Sequence, residues 1–179
     1  LPAWGVRPNT KDLIETMHLK TLNKLNAHFS IYPYLFGNKP SIGDFGMIAP
    51  LYGHLGRDPV PLSLMQINAP RLFRWVERMN RSEPDIGEFA DKSTNYLAND
   101  EIPETLIDVL KHFATDFIPE SVAAYNCVSH WLEANKDFPA GTVVEREVGS
   151  CAFEIDGIEI NAVAQPFRFY LLHRLQKEF

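Results

Sequence analysis

The segment that most constrains the fold is residues 37–45, because it predicts where a helix begins. Ser41 occupies an N-cap position, so its hydroxyl can accept a hydrogen bond from a first-turn N–H. Asp44, three residues on, can reach back to the Ser41 N–H. Each bond satisfies a donor that the helix end would otherwise leave unpaired, and Asp44 also places negative charge at the positive end of the helix dipole. We therefore predict a helix that starts after Ser41, with Ser41 and Asp44 as its capping box.

The residues that follow Ser41 are strongly apolar as far as about Gly56. Their large side chains are spread widely around a helical cylinder: Ile42, Phe45, Ile48, Ala49, Tyr52 and Leu55. This distribution is typical of a helix that is buried on several sides. Pro50 lies inside the segment, so we expect a kink there.

Apolar residues recur at helical spacing in several other segments. They predict helices at 11–29, 70–79, 103–117, 119–132 and 166–179. Thr10 is placed to cap the first of these helices. Pro119 indicates a bend or break between two of them. The last helix is predicted to turn four side chains inward: Phe167, Tyr170, Leu171 and Leu175.

The segments between these helices are predicted to be irregular. Residues 1–9 contain two prolines and a glycine and indicate an extended lead-in, while 31–40 is an aromatic, turn-rich loop. The Arg57-Asp58-Pro59 sequence breaks the preceding helix, so 60–69 is expected to be a connector. Residues 80–100 are polar and predict a long connection.

The chain changes character after residue 137. Two short apolar runs flank Asp156-Gly157, a strong short-range signal for a β-hairpin. We therefore predict a mostly α fold, a helical bundle with a small β-hairpin near the C-terminus. Residues 1–137 would form the bundle domain, and 138–179 an extension, hairpin plus terminal helix, packed on the same domain.

Charge and composition argue against several classes of partner. The chain has 23 acidic and 17 basic side chains, whereas a nucleic-acid binder concentrates Lys and Arg into a stripe. Arg71, Arg74, Arg78 and Arg81 come closest, but Glu77 and Glu83 dilute them. We interpret this row as a solvated helix face and expect no nucleic-acid partner. No apolar run is long enough to span a membrane, so no membrane partner is expected either.

Location in the cell follows from the same sequence features. Cys127 and Cys151 are the two cysteines, a number that suits a reducing compartment, and no signal peptide is apparent. A cytoplasmic protein is therefore predicted, although one disulfide between the two stays open. The chain opens with Leu1-Pro2-Ala3 rather than Met, so we expect that residues upstream of Leu1 have been removed.

The capped segment, taken with its surroundings, resembles the C-terminal helical domain of the glutathione S-transferase family. In that domain a Gly, a Pro-Ser or Pro-Thr pair and a following Asp-Phe open the central core helix. The residues that carry the resemblance are Tyr34-Leu35-Phe36-Gly37, Pro40-Ser41-Ile42-Gly43-Asp44-Phe45, Pro50-Leu51, His54-Leu55, Arg57-Asp58-Pro59, Ala69-Pro70 and Trp75-Val76-Glu77-Arg78-Met79. The resemblance covers most of the chain and is strongest over 22–80.

The resemblance implies a two-domain parent protein that is a glutathione transferase. Its thioredoxin-like first domain would hold glutathione, the co-substrate, and supply the catalytic residue; nothing in this sequence matches that domain. This chain would need no cofactor of its own. It would contribute the wall of a hydrophobic-substrate pocket and dimer contacts, and alone it is not expected to bind glutathione or catalyse. Its partners would be the thioredoxin-like domain, a second copy in a homodimer and an apolar small molecule.

Other constellations have an ordinary structural interpretation. Cys127, His130 and Glu133 could line up as metal ligands, with Cys151 nearby, but a structural zinc site needs four ligands in a recognisable spacing. We therefore predict no metal and no catalytic residue in this chain. Glu145/Glu147 and Glu154/Asp156 are interpreted as a solvated strand face. The aromatic residues Tyr32, Tyr34, Phe36 and Tyr52 are interpreted as core, with the floor of an apolar ligand site as the alternative.

Two further functions remain open beside the transferase hypothesis. The same helical domain occurs in translation-associated proteins, where it serves protein–protein contact, so the chain could be a non-catalytic interaction module. It could also be a carrier of apolar ligands. Glutathione titration separates the first hypothesis from these two, and titration with a hydrophobic dye tests the carrier.

Overall fold

The structure, a computed structural model, describes residues 1–81, 88–90, 93–139, 141–145 and 147–178. Its helices are α1 (Lys11–Phe29), α2 (Ile42–Pro50), α3 (Pro59–Asn68), α4 (Pro70–Met79), α5 (Glu104–Ala134) and α6 (Pro166–Glu178). Strands β1 (Ser150–Ile155) and β2 (Ile158–Val163) pair antiparallel. A mostly α fold with a small hairpin near the C-terminus is therefore confirmed. No helix in these ranges is both long and apolar enough to cross a bilayer.

Contacts divide the chain into two units, which differ from the predicted ranges 1–137 and 138–179. The central unit is Thr16–His112, and the terminal unit comprises Leu1–Glu15 and Phe113–Phe179. The central unit has a core built from α1, α3, α4, α5 and the segment after α2. Its buried residues are Leu22, Leu25, Phe29, Leu35, Leu51, Met65, Ala69, Leu72, Trp75, Val76, Leu106 and Val109. Phe29 and Trp75 stack at its centre, with ring centroids 4.8 Å apart.

The terminal unit contains a smaller core beside the hairpin. Ala124 and Val128 of α5 pack with Cys151 of β1 and with Ala164. The hairpin turns at Asp156 and Gly157, whose φ angles are 50° and 77°. Both angles lie in the left-handed region that this tight turn requires, so the Asp-Gly signal is confirmed.

The first residues of the chain belong to the terminal unit and are more ordered than predicted. Pro2–Trp4 form a 3₁₀ turn that contacts β2. Gly5 follows with φ 81°, and a Cβ there would lie 2.6 Å from Ile160 Cγ2. Glycine is needed at this position for both reasons. The Thr10 hydroxyl fixes the turn by donating to the Gly5 carbonyl at 2.6 Å.

Two predictions about prolines are wrong. Residues 60–69, predicted as a connector, are mostly helical, since α3 begins at Pro59. The first helical positions need no N–H partner, so Pro59 starts this helix as well as ending the previous segment. Likewise α5 runs through Pro119 as one helix of 31 residues. Proline costs about 3 kcal/mol in a helix interior, and a helix with buried residues on both sides of it can bear that loss.

Two predictions about burial are also wrong. The helix after Ser41 is not buried all round: Ile42 is 90% exposed and Phe45 58% exposed, because α2 turns Asp44, Met47 and Ile48 to the core. Pro50 ends α2, and the predicted kink coincides with a change to a π-helical segment, Leu51–Leu55. The four side chains of α6 predicted to face inward are exposed. Phe169 packs instead, stacked on Tyr125 at 5.1 Å.

Candidate functional site: a buried carboxylate and the cleft beside it

Asp44 accepts hydrogen bonds at both of its carboxylate oxygens. Its Oδ2 accepts hydrogen bonds from the Ser41 N–H at 2.8 Å and from the Ser41 hydroxyl at 2.7 Å. Its own N–H donates to Ser41 Oγ at 3.4 Å, which completes the reciprocal capping box. The other carboxylate oxygen, Oδ1, accepts from the Leu35 N–H at 3.1 Å and from Trp75 Nε1 at 3.0 Å.

These bonds explain how a carboxylate can lie at 0% exposure. A buried carboxylate is costly unless its oxygens are hydrogen-bonded, and here each oxygen has two donors. The donors come from three places: the helix cap, the preceding aromatic loop and the middle of α4. Asp44 therefore joins α2, the loop and α4 in addition to capping its own helix.

His28, which is also fully buried, forms a second polar anchor beside Asp44. Its Nε2 lies 3.2 Å from the Tyr34 carbonyl oxygen, which can only accept, so Nε2 carries the proton. Its Nδ1 then accepts from the Thr105 hydroxyl at 2.9 Å. Burial lowers the pKa of His28, while the Tyr34 carbonyl and the charge of Asp44 oppose that shift. The neutral imidazole links α1 to α5 and to the aromatic loop.

Arg78 corrects the interpretation of the arginine row as a solvated face. Its side chain is 4% exposed, and Nε and Nη2 both donate to the Pro33 carbonyl oxygen, at 3.2 and 3.0 Å. Its Nη1 also lies 3.4 Å from Glu88, which pairs with Arg71 and Arg74 as well. Arg78 thus holds the aromatic loop against α4. Glu83, predicted to dilute the row, lies outside the described residues.

A cleft of about 440 Å³ opens beside the cap, within the central unit. It is lined by Phe36, Ser41, Ile42, Tyr96, Leu97, Asp100, Glu101 and Ile102. Most of this lining is apolar or aromatic, and the carboxylates of Asp100 and Glu101 add negative charge. An apolar lining with a few polar groups is the usual composition of a small-molecule site.

Two backbone hydrogen bonds and one from a side chain hold the two sides of this cleft together. Leu97 N–H donates to the Phe36 carbonyl oxygen at 3.0 Å, and Asn38 N–H donates to the Asn95 carbonyl oxygen at 3.0 Å. The Tyr96 hydroxyl donates to the Pro40 carbonyl oxygen, also at 3.0 Å. The segment around residue 96 is therefore fastened along the loop that leads into the cap.

The far end of the cleft has an unusual backbone. Asn99 and Asp100 both have φ near 55°, and neither is glycine. Among residues with a side chain, Asn and Asp adopt this left-handed conformation most readily, so the two residues form a turn without appreciable strain. The turn leads directly into the cleft lining, which Asp100 forms together with Glu101 and Ile102.

The aromatic residues of the loop divide between core and cleft. Tyr34, Phe36 and Tyr52 pack against the central core, as the structural interpretation predicted. Phe36 also lines the cleft, which is the role the alternative gave to this group. Tyr32 stacks on His28 at 5.4 Å.

The candidate metal and carboxylate residues belong to the terminal unit and are not among the residues that line this cleft. His130 Nδ1 lies 2.7 Å from the Asn126 carbonyl oxygen, and half-buried Cys127 lies close to Gly149. Burial raises the pKa of Cys151, with smaller contributions from Cys127 and Glu120. No group of three or more His, Cys, Asp or Glu in the described ranges could hold a metal ion. Glu145 and Glu147, predicted on a strand face, precede β1 and line a separate cleft.

Sequence reasoning missed three parts of the site. Trp75 and Arg78 act on partners 31 and 45 residues away, and no local spacing reveals such contacts. His28 is one of six scattered histidines, with no motif around it. The cleft wall from Tyr96 to Asp100 lies in the stretch 80–100, predicted only as a polar connection, and Glu101 and Ile102 lie between that stretch and the helix predicted from residue 103.

Together these features define a class of protein: an all-helical domain organised by a capped, buried aspartate, with a small apolar cleft beside the cap. Residues 9–83 match the family model described as glutathione S-transferase, C-terminal domain. This part of the chain belongs to that domain family, as the resemblance over residues 22–80 implied, and the match contains Ser41, Asp44, Trp75 and Arg78. No curated protein and no solved structure gives a match to the chain.

Proposed function

We propose that this chain is the helical half of a glutathione S-transferase-like protein and that the cleft beside Ser41 holds part of an apolar substrate. The observation that carries the proposal is the cleft itself. Phe36 and Ile42 of its wall lie inside the stretch that matches the transferase C-terminal domain, and Leu97 and Ile102 of its wall lie beyond that stretch. Glutathione and the activating residue would belong to a thioredoxin-like partner domain, and exposed apolar helix faces would supply dimer contacts.

Titration with the neutral fluorescent dye N-phenyl-1-naphthylamine tests the cleft. We expect saturable binding by the chain. The variant Ile102→Glu places a charge in the apolar wall and should weaken binding roughly tenfold, which corresponds to about 1.4 kcal/mol. Ile67→Glu is the matched control, because Ile67 is an exposed isoleucine of α3 that does not line the cleft. Equal affinities for the two variants would place the dye elsewhere and remove the proposed pocket wall.

A second titration tests whether glutathione binding requires the thioredoxin-like partner domain. Calorimetry with reduced glutathione should show no heat of binding to this chain. The chain joined to or mixed with a thioredoxin-like domain of the family should bind it and conjugate an apolar electrophile. Glutathione binding by these 179 residues alone would contradict this arrangement.

The alternative function is a protein–protein interaction module, and exposed residues of α2 favour it. Ile42 and Phe45 are large apolar side chains that face solvent immediately after the cap. The variant Phe45→Glu separates the two functions, because Phe45 is not among the cleft lining residues. If Phe45→Glu abolishes binding to a partner protein while dye affinity is retained, the interaction module is the better description.

A further inference from the structure

The two cysteines of the chain lie in the same small core of the terminal unit. Cys151 is one of the buried residues of this core, and Cys127 packs against it as a partly buried side chain. In the sequence they are separated by the end of α5 and the segment that leads into β1. Both lie outside 9–83, the stretch that matches the transferase family, so this pair is independent of the proposed function.

Both side chains are directed into the contact between α5 and the hairpin. Ala124, Cys127 and Val128 are three and four residues apart, so they share one face of α5. Ala124 and Val128 pack with Cys151. Side chains alternate between the two faces of a strand, and Cys151 is buried while its two neighbours in β1 are exposed. The inner face of β1 therefore carries one thiol, and the helix face that packs on it carries the other.

The Cys127 sulfur reaches the backbone of β1 immediately before Cys151. Its S–H group donates to the Ser150 carbonyl oxygen, with sulfur and oxygen 3.9 Å apart. That carbonyl belongs to the peptide group that ends at the Cα atom of Cys151, and one such unit spans about 3.8 Å. Gly149 leaves room for the sulfur, because a Cβ there would lie 3.1 Å from Cys127 Sγ. The separation suits a disulfide, which joins Cα atoms about 4.4–6.8 Å apart.

The two thiols differ in how easily a reagent from solvent reaches them. Cys127 is half-buried, whereas Cys151 is only 7% exposed. Burial raises the pKa of Cys151, and the neighbouring Cys127 raises it further. The thiolate is the nucleophile in disulfide exchange. A reagent should therefore react first at Cys127, and Cys151 should act second, from inside the core.

We propose that Cys127 and Cys151 form a reversible disulfide by exchange with a low-molecular-weight disulfide, and that this bond fastens the hairpin to α5. The Cys127 thiolate attacks one sulfur of the reagent, whose S–S bond breaks. One half of the reagent leaves as a thiol, with the proton that Cys127 has lost. Cys151 then attacks the Cys127 sulfur of the mixed disulfide, and the second half leaves as a thiol with the Cys151 proton.

This exchange oxidises two thiols of the chain and reduces one disulfide to two thiols. An excess of reducing thiol reverses both steps, so the bond responds to the redox state around the protein. In the oxidised form, α5 and β1 are joined covalently beside the small core. In the reduced form, they are held by the packing of that core alone.

Equilibration of the full chain with bis(2-hydroxyethyl) disulfide and 2-mercaptoethanol tests the proposal. This neutral pair does not resemble glutathione, so the result does not depend on the transferase function. After acid quenching and alkylation of the remaining thiols, peptide mapping by mass spectrometry identifies the linked cysteines. We expect one bond within the chain, with an equilibrium constant at least roughly tenfold higher in the folded chain than in urea. The oxidised chain should then resist urea better than the reduced chain by the same factor.

Three variants test the order of reaction and the geometry, with circular dichroism to show that each is folded. Cys151→Ala should retain half of the reagent as a mixed disulfide at Cys127. Cys127→Ala should react at least roughly tenfold more slowly, because its remaining thiol is buried. The matched control, Cys151→Ala with Ala152→Cys, moves the inner thiol by one residue to the exposed face of β1. It should form the internal bond at least roughly tenfold less readily.

Three results would overturn the proposal: no bond within the folded chain, a bond that forms as readily in urea, or a bond that forms as readily in the matched control. Equal reaction rates of Cys127→Ala and Cys151→Ala would contradict the order of attack.

Discussion

Buried polar side chains determine how the central unit is assembled at the scale of single residues. Asp44, His28 and Arg78 are each almost fully buried, and each binds the loop that runs from Pro33 to Leu35. The three bonds go to three consecutive residues of the loop, Pro33, Tyr34 and Leu35, so these side chains help to define its course. Because a buried group that loses its partner costs more than the bond contributes, such positions tolerate little change.

Asp44→Asn tests the bonding of the buried carboxylate. The amide has the same shape, but its NH₂ group would face two of the four donors, which then lose their acceptor. We expect the free energy of unfolding to fall by about 3 kcal/mol, since an unsatisfied buried donor costs roughly 1–3 kcal/mol. Urea unfolding followed by circular dichroism measures this change. The slope of the free energy of unfolding against urea concentration should stay the same.

Asp58→Asn is the control for this substitution. Asp58 lies at the N-cap of α3, without a side-chain capping bond, and is exposed. The free energy of unfolding of this variant should differ from that of the unchanged chain by no more than about 0.5 kcal/mol. If the two variants lose similarly little stability, the four hydrogen bonds that Asp44 accepts contribute little to folding.

His28 predicts how stability depends on pH. Its pKa is lowered in the folded chain, so on acidification the unfolded chain takes up a proton first. Stability from the neutral imidazole is therefore present above about pH 6.5, the ordinary value, and is lost as the pH falls below it. The slope contributed by one such group is at most about 1.4 kcal/mol per pH unit.

Urea unfolding at several pH values between about 5.5 and 8 measures this slope. His28→Gln should reduce it. His18→Gln should reduce it less: burial also lowers the pKa of His18, but His18 is only partly buried. An unchanged slope in His28→Gln would show that other groups govern the acid side of the stability curve.

The sequence predicted the part of this network that lies within one turn of helix. Ser41 and Asp44 are three residues apart, so their mutual bonds follow from local geometry. The bonds from Asp44 to Leu35 and Trp75 depend on where α4 packs, and that packing is set by the whole core. Sequence patterns therefore indicated a cap but not the junction that the cap forms.

At the scale of elements, the residues at helix and strand ends explain which helices and strands the sequence predicted correctly and which it did not. Asp156-Gly157 and the apolar spacing of residues 11–29 predicted β1, β2 and α1, because turn chemistry and periodicity are local properties. Pro59 and Pro119 misled the prediction, since proline both begins helices and interrupts them. Periodicity also placed four side chains on one face of α6, but it does not reveal what covers that face.

Two glycines are expected to affect stability in opposite directions, because Gly157 lies in the hairpin turn and Gly46 lies in the middle of α2. Gly157→Ala should lower the free energy of unfolding by about 1 kcal/mol, because its φ of 77° is unfavourable for a residue with a Cβ. Gly46→Ala should raise it by roughly 0.5–1 kcal/mol, because Gly46 lies in α2 with no atom within 4 Å of an added Cβ. Urea midpoints of the two variants should move in opposite directions. A loss in both would mean that α2 needs Gly46 for a close contact.

Charge and exposed apolar surface together govern behaviour at the scale of the whole molecule. The net charge is −6 at pH 7, and the isoelectric point is about 5.5. Repulsion between copies therefore weakens as the pH falls toward that value. The exposed face of α6 formed by Phe167, Tyr170, Leu171 and Leu175 is available for contact between copies.

We therefore expect self-association to increase as the pH is lowered from about 8 to about 5.5, where net repulsion vanishes. Sedimentation velocity at both pH values measures it. Leu171→Ser with Leu175→Ser removes apolar area from the α6 face and should reduce the associated fraction at the lower pH. Val60→Ser with Ile67→Ser is the matched control, since both residues are exposed on α3. If the control reduces association as strongly, contact between copies is spread over the surface, and α6 has no special part in it.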